Sequence, residues 1–179
     1  MSRRETYLLG LALLAVAAVA VVYWQTRPGP EFGTAAPYFY ELDAGAITNV
    51  SIAHDGNTQS FAWDATTESW VFAGSREPVD PERWGGMPVL LSGPRIERTL
   101  PSVDDLTPYG LDPPRTVVTI GLDEGTDFIV LIGGRTPNGL DSYVMQSGSD
   151  QLLLIDGSWA EVIQRMVIEP PHLDATSTP

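Results

Sequence analysis

Hydrophobic residues follow two patterns along the chain, one continuous run near the N-terminus and short alternating runs after it. Residues 7–24 read YLLGLALLAVAAVAVVYW, without a charge or a strongly polar side chain. As a helix this run would span about 27 Å, close to the roughly 30 Å hydrocarbon core of a bilayer. We therefore predict a single transmembrane helix over residues 7–24.

The charges around this run predict its direction. Arg3 and Arg4 precede it, whereas only Arg27 follows closely. The positive-inside rule then places residues 1–6 in the cytoplasm and everything after Trp24 outside it. The expected location is the cytoplasmic membrane, crossed once, with the domain outside or in the periplasm.

A cleaved signal peptide is the alternative, because residues 18–20 (AVA) form an acceptable cleavage site. The apolar run continues beyond that site, which favours an uncleaved anchor. Residues 25–37, rich in Pro, Gly and Ala, predict a linker, and residues 170–179 predict a disordered tail. Whether the apolar run is an anchor or a cleaved signal peptide, the main domain, residues 38–169, is predicted to be extracytoplasmic.

Aromatic alternation predicts the register of one hairpin. Phe61 and Trp63 precede a turn over residues 64–69, and Trp70 and Phe72 follow it. If this turn closes a hairpin, Trp63 faces Trp70 and Phe61 faces Phe72 on the same side of the sheet. Because these tryptophans alternate with core positions, we expect both to be buried.

Other turn signals predict further hairpins. Asp55-Gly56 separates two alternating runs and is a favoured two-residue turn. A turn at residues 123–125 would pair Ile120 with Phe128 and Val118 with Val130. A third hairpin is predicted from residues 142–146 and 151–156.

Two helices interrupt the strands. Asp80 is a typical N-cap before a proline, and opens a predicted helix to about Leu91 that Gly85, Gly86 and Pro88 weaken or kink. Ser158 and Glu161 form a capping box for a second helix to about Val167.

Together these elements predict an α+β fold, mainly antiparallel sheet with two short helices. Each half of the domain has strands around an acid-Gly turn, and then a helix near a tryptophan, Trp84 or Trp159. This order suggests two degenerate β-rich repeats, joined by residues 95–110.

Composition excludes several functional classes. The chain has 179 residues, a net charge of −13 and no cysteine, and all its basic residues are arginine. Such an acidic chain repels phosphate backbones, so we expect no nucleic-acid partner. Without cysteine there are no disulfides, thiolate metal sites or cysteine nucleophiles.

Three motifs could carry chemistry, but each has a simpler structural explanation. The acids at residues 123–127 do not match the spacing of a calcium loop, and residues 133–135 (GGR) lack the ending of a phosphate loop. His54 and His172 lack the local signature of a catalytic triad. We therefore expect no enzymatic activity, and no catalytic, metal or cofactor site.

Two surface features are candidates for binding. Trp84 is the tryptophan that we expect to be exposed, if any is. The loop over residues 109–114 is either a rigid bracket between the halves or a docking surface for another subunit. Its residues are Tyr109, Gly110, Leu111, Asp112, Pro113 and Pro114.

The order of motifs in the middle of the chain resembles one known family. Trp70-Val71-Phe72 is followed by Pro78-Val79-Asp80, then by residues 106–114 (LTPYGLDPP), residues 132–137 (IGGRTP) and Ser142-Tyr143-Val144. This progression is similar to the bacterial domain-of-unknown-function 4340 family, over roughly residues 40–168. The resemblance implies a membrane-anchored extracytoplasmic domain, in some members associated with gliding-motility-type ABC export systems, and implies no catalytic residues.

These observations lead to one expected function and one alternative. The expected function is that of a non-enzymatic accessory or scaffold subunit of a membrane complex, associated by resemblance with an ABC-type exporter, or else part of an energy-transducing complex. Its partners would be the bilayer, through residues 7–24, and other proteins of the complex. The alternative is an extracytoplasmic domain that captures a glycan or a peptide.

Overall fold

The structure, a computed structural model, describes residues 37–173, which contain eight strands, three short α-helices and two 3-10 helices (Ala44–Ala46 and Thr107–Tyr109). The helices are α1 (Pro81–Trp84), α2 (Met87–Leu90) and α3 (Gly157–Ile168). The strands are β1 (Ile47–His54), β2 (Asn57–Asp64), β3 (Ser69–Phe72), β4 (Ile96–Thr99), β5 (Thr116–Leu122), β6 (Asp127–Arg135), β7 (Asp141–Gln146) and β8 (Leu153–Asp156).

All eight strands belong to one antiparallel sheet with the order β3-β2-β1-β5-β6-β7-β8-β4. This confirms the predicted mainly antiparallel β architecture with short helices. The two halves of the domain meet where β1 pairs with β5, and β4 crosses to the far edge beside β8.

The two halves follow the same order of elements outward from that junction. In the second half β7 is followed by β8, and then by the cap residue Asp156 and α3. In the first half β3 is followed by Pro78, which bridges to Val71, and then by the cap residue Asp80 and α1. The shared order agrees with two repeats, whose origin by duplication stays a prediction.

The aromatic hairpin has the predicted register. Phe61 lies opposite Phe72, and Trp63 lies opposite Trp70. Turn residues and alternation determine this register because side chains of a strand point alternately to the two faces. The same reasoning holds for the other three predicted hairpins. In the β1–β2 hairpin His54 pairs with Asn57, so Asp55-Gly56 forms the predicted two-residue turn.

In the β5–β6 hairpin Val118 pairs with Val130 and Ile120 with Phe128, as predicted. In the β7–β8 hairpin Val144 pairs with Leu153.

The main core lies between one face of the sheet and the helices. Residues of β1, β5 and β6 on this face are almost completely buried, and Trp84, Trp159 and Ile163 pack over them from α1 and α3. A smaller cluster around Leu111 and Leu152 lies apart from the main core. Removal of apolar surface from water in the main core is the chief source of stability for this layer arrangement.

The first helix begins as predicted but ends early. The Asp80 carboxylate accepts a hydrogen bond from the backbone N–H of Glu82 at 2.9 Å, with Pro81 at the first helical position. Gly86 has a φ of 83°, a left-handed conformation that interrupts the helix. The predicted helix to Leu91 is therefore two short helices, α1 and α2.

The capping box predicted for the second helix is wrong. The cap is Asp156, whose carboxylate accepts from the Ser158 N–H at 2.7 Å. Hydrogen bonding from Ser158, first from its side chain and then from its backbone N–H, lowers the pKa of Asp156. Glu161 instead forms an ion pair with Arg135 at 2.7 Å.

Residues 170–173, which follow α3, pack against the domain although a disordered tail was expected from residue 170 onward. The backbone N–H of Asp80 donates to the carbonyl of Pro171 at 2.8 Å, and His172 stacks on Phe72 with ring centroids 4.5 Å apart. The prediction of a disordered tail is therefore wrong for residues 170–173, and residues 174–179 lie outside the described part.

None of the helices in residues 37–173 is long and apolar enough to cross a membrane. The predicted transmembrane helix at residues 7–24 lies outside the described residues, as does all of the predicted linker except Pro37. Pro37 itself accepts a hydrogen bond from the N–H of Ile96.

We expect Phe61→Ala to destabilise the domain by about 3–5 kcal/mol, because the Phe61 side chain is completely buried in the main core. Trp63→Ala on the same strand should cost about 1 kcal/mol or less, because the Trp63 ring is 43% exposed. Urea unfolding of a fragment that begins at Pro37 measures both changes. Equal losses in the two variants would show that Trp63 is a core residue.

Candidate functional site

A groove of about 490 Å³ lies at the β3 edge of the sheet, between the aromatic hairpin and α1. We call it the tryptophan groove. Its lining is almost entirely apolar, with Glu68 and Ser69 as the polar exceptions. The lining residues are Trp63, Glu68, Ser69, Trp70, Pro78, Val79, Pro81, Trp84, Gly85, Gly86, Pro88 and Leu173.

Three tryptophan rings form a continuous row along the groove. The centroids of Trp63 and Trp70 are 6.1 Å apart, and those of Trp70 and Trp84 are 5.1 Å apart. Trp84 in turn packs on Phe61 at 4.3 Å. The row therefore runs from the protein surface at Trp63 to the main core at Phe61.

The exposure of two tryptophans is the reverse of what we predicted. Trp84, expected to be the exposed ring, is only 3% exposed, and Trp63, expected in the core, is 43% exposed. The reason is the position of α1, which carries Trp84 onto Phe61 and so buries the Trp84 ring, whereas Trp63 lies next to the last residue of β2, at the outer end of the ring row.

The indole N–H of Trp84 is buried and has no hydrogen-bond acceptor among residues 37–173. Burial of an unpaired donor costs free energy that a bonded donor does not cost. By contrast, the indole N–H of Trp159 donates to the carbonyl of Leu90 at 2.9 Å. Because the Trp84 nitrogen is itself shielded from solvent, this unpaired donor lowers the stability of the fold and does not open into the groove.

The C-terminal segment holds one wall of the groove in place. Arg83 of α1 donates to the carbonyls of Glu169 and Pro170, and Val79 bridges to His172. These contacts bring Leu173 to the rim of the groove. Three separate chain segments therefore build the site before any ligand is present.

One acidic side chain, Glu68, lines the groove, and a second, Asp64, is close to it in sequence. Asp64 is paired with Arg76 at 3.1 Å, and its pKa is lowered, chiefly by the hydrogen bond from the Thr66 backbone N–H. Glu68 is exposed and forms no ion pair within residues 37–173. Glu68 is therefore the charge that a cationic ligand would meet.

The loop at residues 109–114 lies elsewhere, against β6 and β7. Leu111 is 3% exposed and Tyr109 packs edge-on against Tyr143 at 4.9 Å. Gly110 has a φ of 67°, and Gly133 passes so close to Tyr109 that a side chain would overlap its carbonyl. These contacts favour the interpretation of the loop as a rigid connection between the two halves of the domain.

Asp112 and Pro113, joined by a cis peptide bond, remain exposed in this loop, and Pro114 is half-buried. A docking role for the loop stays a prediction.

A polar cluster that the sequence did not reveal joins the loop to the first hairpin. His54 Nδ1 lies 2.8 Å from Thr116 Oγ1, and His54 Nε2 lies 3.4 Å from Asp55. Arg115 pairs with Asp55 at 2.8 Å, and its hydrogen bond is the main cause of the lowered pKa of Asp55.

An Asp-His-Thr series of this kind resembles a catalytic triad in its residue types only. The Thr116 side chain is completely buried, and its hydroxyl already accepts from the Gln164 amide at 3.2 Å. A substrate cannot reach such a hydroxyl. The local sequence signal that could have found the cluster is the histidine next to the Asp55-Gly56 turn.

The two other motifs from the sequence are residues 133–135 (GGR) and the acids at residues 123–127. Arg135 donates to the carbonyls of Gly139 and Gly157 and pairs with Glu161, so its guanidinium is already bound. Within residues 37–173, no three His, Asp or Glu side chains come together to hold a metal ion.

Gly133→Ala tests whether the loop at residues 109–114 is held rigidly against β6. We expect it to destabilise the domain by about 1–3 kcal/mol, because the added methyl group would overlap the Tyr109 carbonyl. Gly74→Ala is the matched control, since no atom lies within 4 Å of the corresponding methyl position. Denaturant midpoints that are equal for the two variants would contradict a tightly held loop.

Comparison with known proteins leaves the site to be interpreted from its own geometry. No family model, no curated protein and no solved structure matches this chain. The resemblance to the domain-of-unknown-function 4340 family therefore stays a prediction.

Proposed function

We propose that this chain is a non-enzymatic binding module that holds an extended segment of a partner protein in the tryptophan groove. The observation that carries the proposal is the exposed Trp63 ring, at one end of a row of tryptophans in an apolar groove. Tryptophans in such pockets provide much of the binding energy of protein interfaces.

The shape of the groove supports a binding role. Pockets with mostly apolar walls and a few placed polar groups are typical of ligand sites. This groove has three tryptophans, three prolines and one carboxylate that forms no ion pair within the described part of the chain. Its walls are held by hydrogen bonds from Arg83 and Asp80 to the C-terminal segment. Little ordering of the groove would be needed on binding, which favours affinity.

A polypeptide suits the groove better than a glycan does. Trp63 and Trp70 are inclined at 66°, and Trp70 and Trp84 at 45°, so the rings do not form one flat platform for a sugar ring. A glycan also needs many hydrogen-bonding groups for its hydroxyls, and only two polar side chains line the groove. Peptide capture, one part of the alternative from the sequence, agrees with both observations.

We place this module at the outer face of the cytoplasmic membrane, anchored through residues 7–24. The support is the absence of charge in that run and the two arginines before it. In this arrangement the module is an accessory subunit of a membrane complex. The family resemblance favours an ABC-type exporter over an energy-transducing complex.

Substitution of Trp63 should remove the partner while leaving the module folded. We expect Trp63→Ala in the full chain to reduce co-purification of the partner from mild detergent at least about tenfold, because an exposed anchor ring is lost. Mass spectrometry of the purified material measures the ratio of partner to module. The melting temperature of the variant checks that folding is retained.

Leu140→Ala is the matched control, because Leu140 is 69% exposed and does not line the groove. It should leave the partner bound. Retention of the partner by Trp63→Ala, or purification of the unchanged chain alone, would overturn the proposed function.

A further inference from the structure

We propose that the protein has a second binding site, for a free α-amino acid with an apolar side chain. The site is a cavity of about 360 Å³ beside β4, β7 and β8, which we call the second cavity. Arg98 and Asp141 both line it, and neither forms an ion pair within residues 37–173. A cation and an anion that are both unpaired in one cavity suit a zwitterionic ligand. This inference does not depend on the proposed function.

A one-residue shift in the register of β4 places Arg98 at this cavity. Ile96 lies opposite Ile155, a residue of the main core, whereas Arg98 lies opposite Leu154. Without the extra residue between these pairs, Arg98 would lie opposite Leu153, on the face of the sheet that carries the main core. Bulges of this kind often turn a side chain toward a functional site.

The two charged residues stand on either side of an apolar floor. Leu154, which is 6% exposed, lies between Arg98 and Tyr143 on neighbouring strands. Asp141 is two residues before Tyr143 on β7 and lies on the same face. The usual spacings between strands and along a strand separate the Cα atoms of Arg98 and Asp141 by roughly 12 Å. A ligand above Leu154 would therefore lie between the two charges.

A hydrogen-bonded turn holds the acidic side of the second cavity in place. The Thr136 N–H donates to the carbonyl of Asp141 at 2.9 Å, and the Asp141 N–H donates to the Thr136 hydroxyl at 3.1 Å. Asp156, opposite Asp141 in register, already accepts from the Ser158 N–H as the cap of α3. Asp141 is thus the positioned carboxylate that remains for a ligand, and its fixed backbone reduces the ordering cost of binding.

The surroundings favour a small neutral ligand with an apolar side chain. The net charge of −13 repels a simple anion from Arg98, whereas an α-amino acid has no net charge. Leu100, Pro137 and Leu154 give the cavity apolar walls. Its volume is near the lower end of the roughly 300–1,000 Å³ that is usual for small-molecule sites. The carboxylate of the amino acid would pair with Arg98 and its ammonium group with Asp141.

Equilibrium dialysis of the full chain in detergent micelles against tritiated L-leucine tests the site. The unlabelled competitors are L-leucine, leucinamide, which lacks the carboxylate, and N-acetyl-leucine, which lacks the ammonium group. We expect L-leucine to bind, and each analogue to compete at least about tenfold more weakly, because each loses one charged hydrogen-bonding group. Equal competition by the three compounds, or no bound leucine up to its solubility limit, would overturn the inference.

Substitutions locate the bound leucine. Arg98→Gln and Asp141→Asn should each weaken leucine binding at least about tenfold, since each leaves one charge of the ligand unpaired. The matched controls are Arg165→Gln and Asp150→Asn, at exposed positions outside the cavity, and both should bind leucine like the unchanged chain.

Trp63→Ala should also leave leucine binding unchanged, because Trp63 lines the tryptophan groove and not the second cavity. Full affinity in either cavity variant, or a loss of affinity in Trp63→Ala, would overturn the inference. Melting temperatures show whether the variants are folded. The comparison of the three compounds on the unchanged chain decides the matter if a variant is not.

Discussion

The contact between Trp84 and Phe61, with ring centroids 4.3 Å apart, connects the sheet to its helical layer. Phe61 is completely buried on β2, and Trp84 reaches it from the single turn of α1. The same indole forms one end of the ring row that continues through Trp70 to the surface. Stability of the core and the shape of the groove therefore depend on one aromatic packing interaction.

The position of Trp84 depends in turn on the ends of α1. A single helical turn is not stable alone, because nucleation fixes many dihedral angles for few hydrogen bonds. Here the Asp80 cap, Pro81 and the Arg83 contacts with the C-terminal segment hold it. The left-handed Gly86 then allows the chain to turn into α2. These local contacts preform the groove.

Local signals explain why much of the sheet could be predicted. Registers such as Phe61 with Phe72 and Val118 with Val130 follow from alternation and turn residues a few positions apart. The Asp80 cap is equally local.

The exposure of the groove residues could not be predicted in the same way. Whether Trp63 or Trp84 is buried depends on where α1 packs against β2, which is distant from it in sequence. The hydrophobicity of the two side chains is the same, so it does not distinguish them. Leu173 joined the groove through the Arg83 hydrogen bonds, which the composition of the tail did not reveal. The predicted pairing of Trp63 with Trp70 was correct, but only Trp70 packs against the main core, and Trp63 lies at the surface.

Hydroxyl-radical footprinting of the full chain tests most directly that the tryptophan groove is the binding surface, when it is done in native membranes and again after bound proteins have been stripped by a high-salt wash in a harsher detergent. If the groove binds the partner, Trp63 is protected in membranes and oxidised rapidly in the stripped protein, while Trp84 stays protected in both and the equally exposed Tyr38 reacts alike in both. Equal oxidation of Trp63 in the two preparations, or a Trp84 ring as reactive as Trp63 in the stripped protein, would contradict this role of the groove.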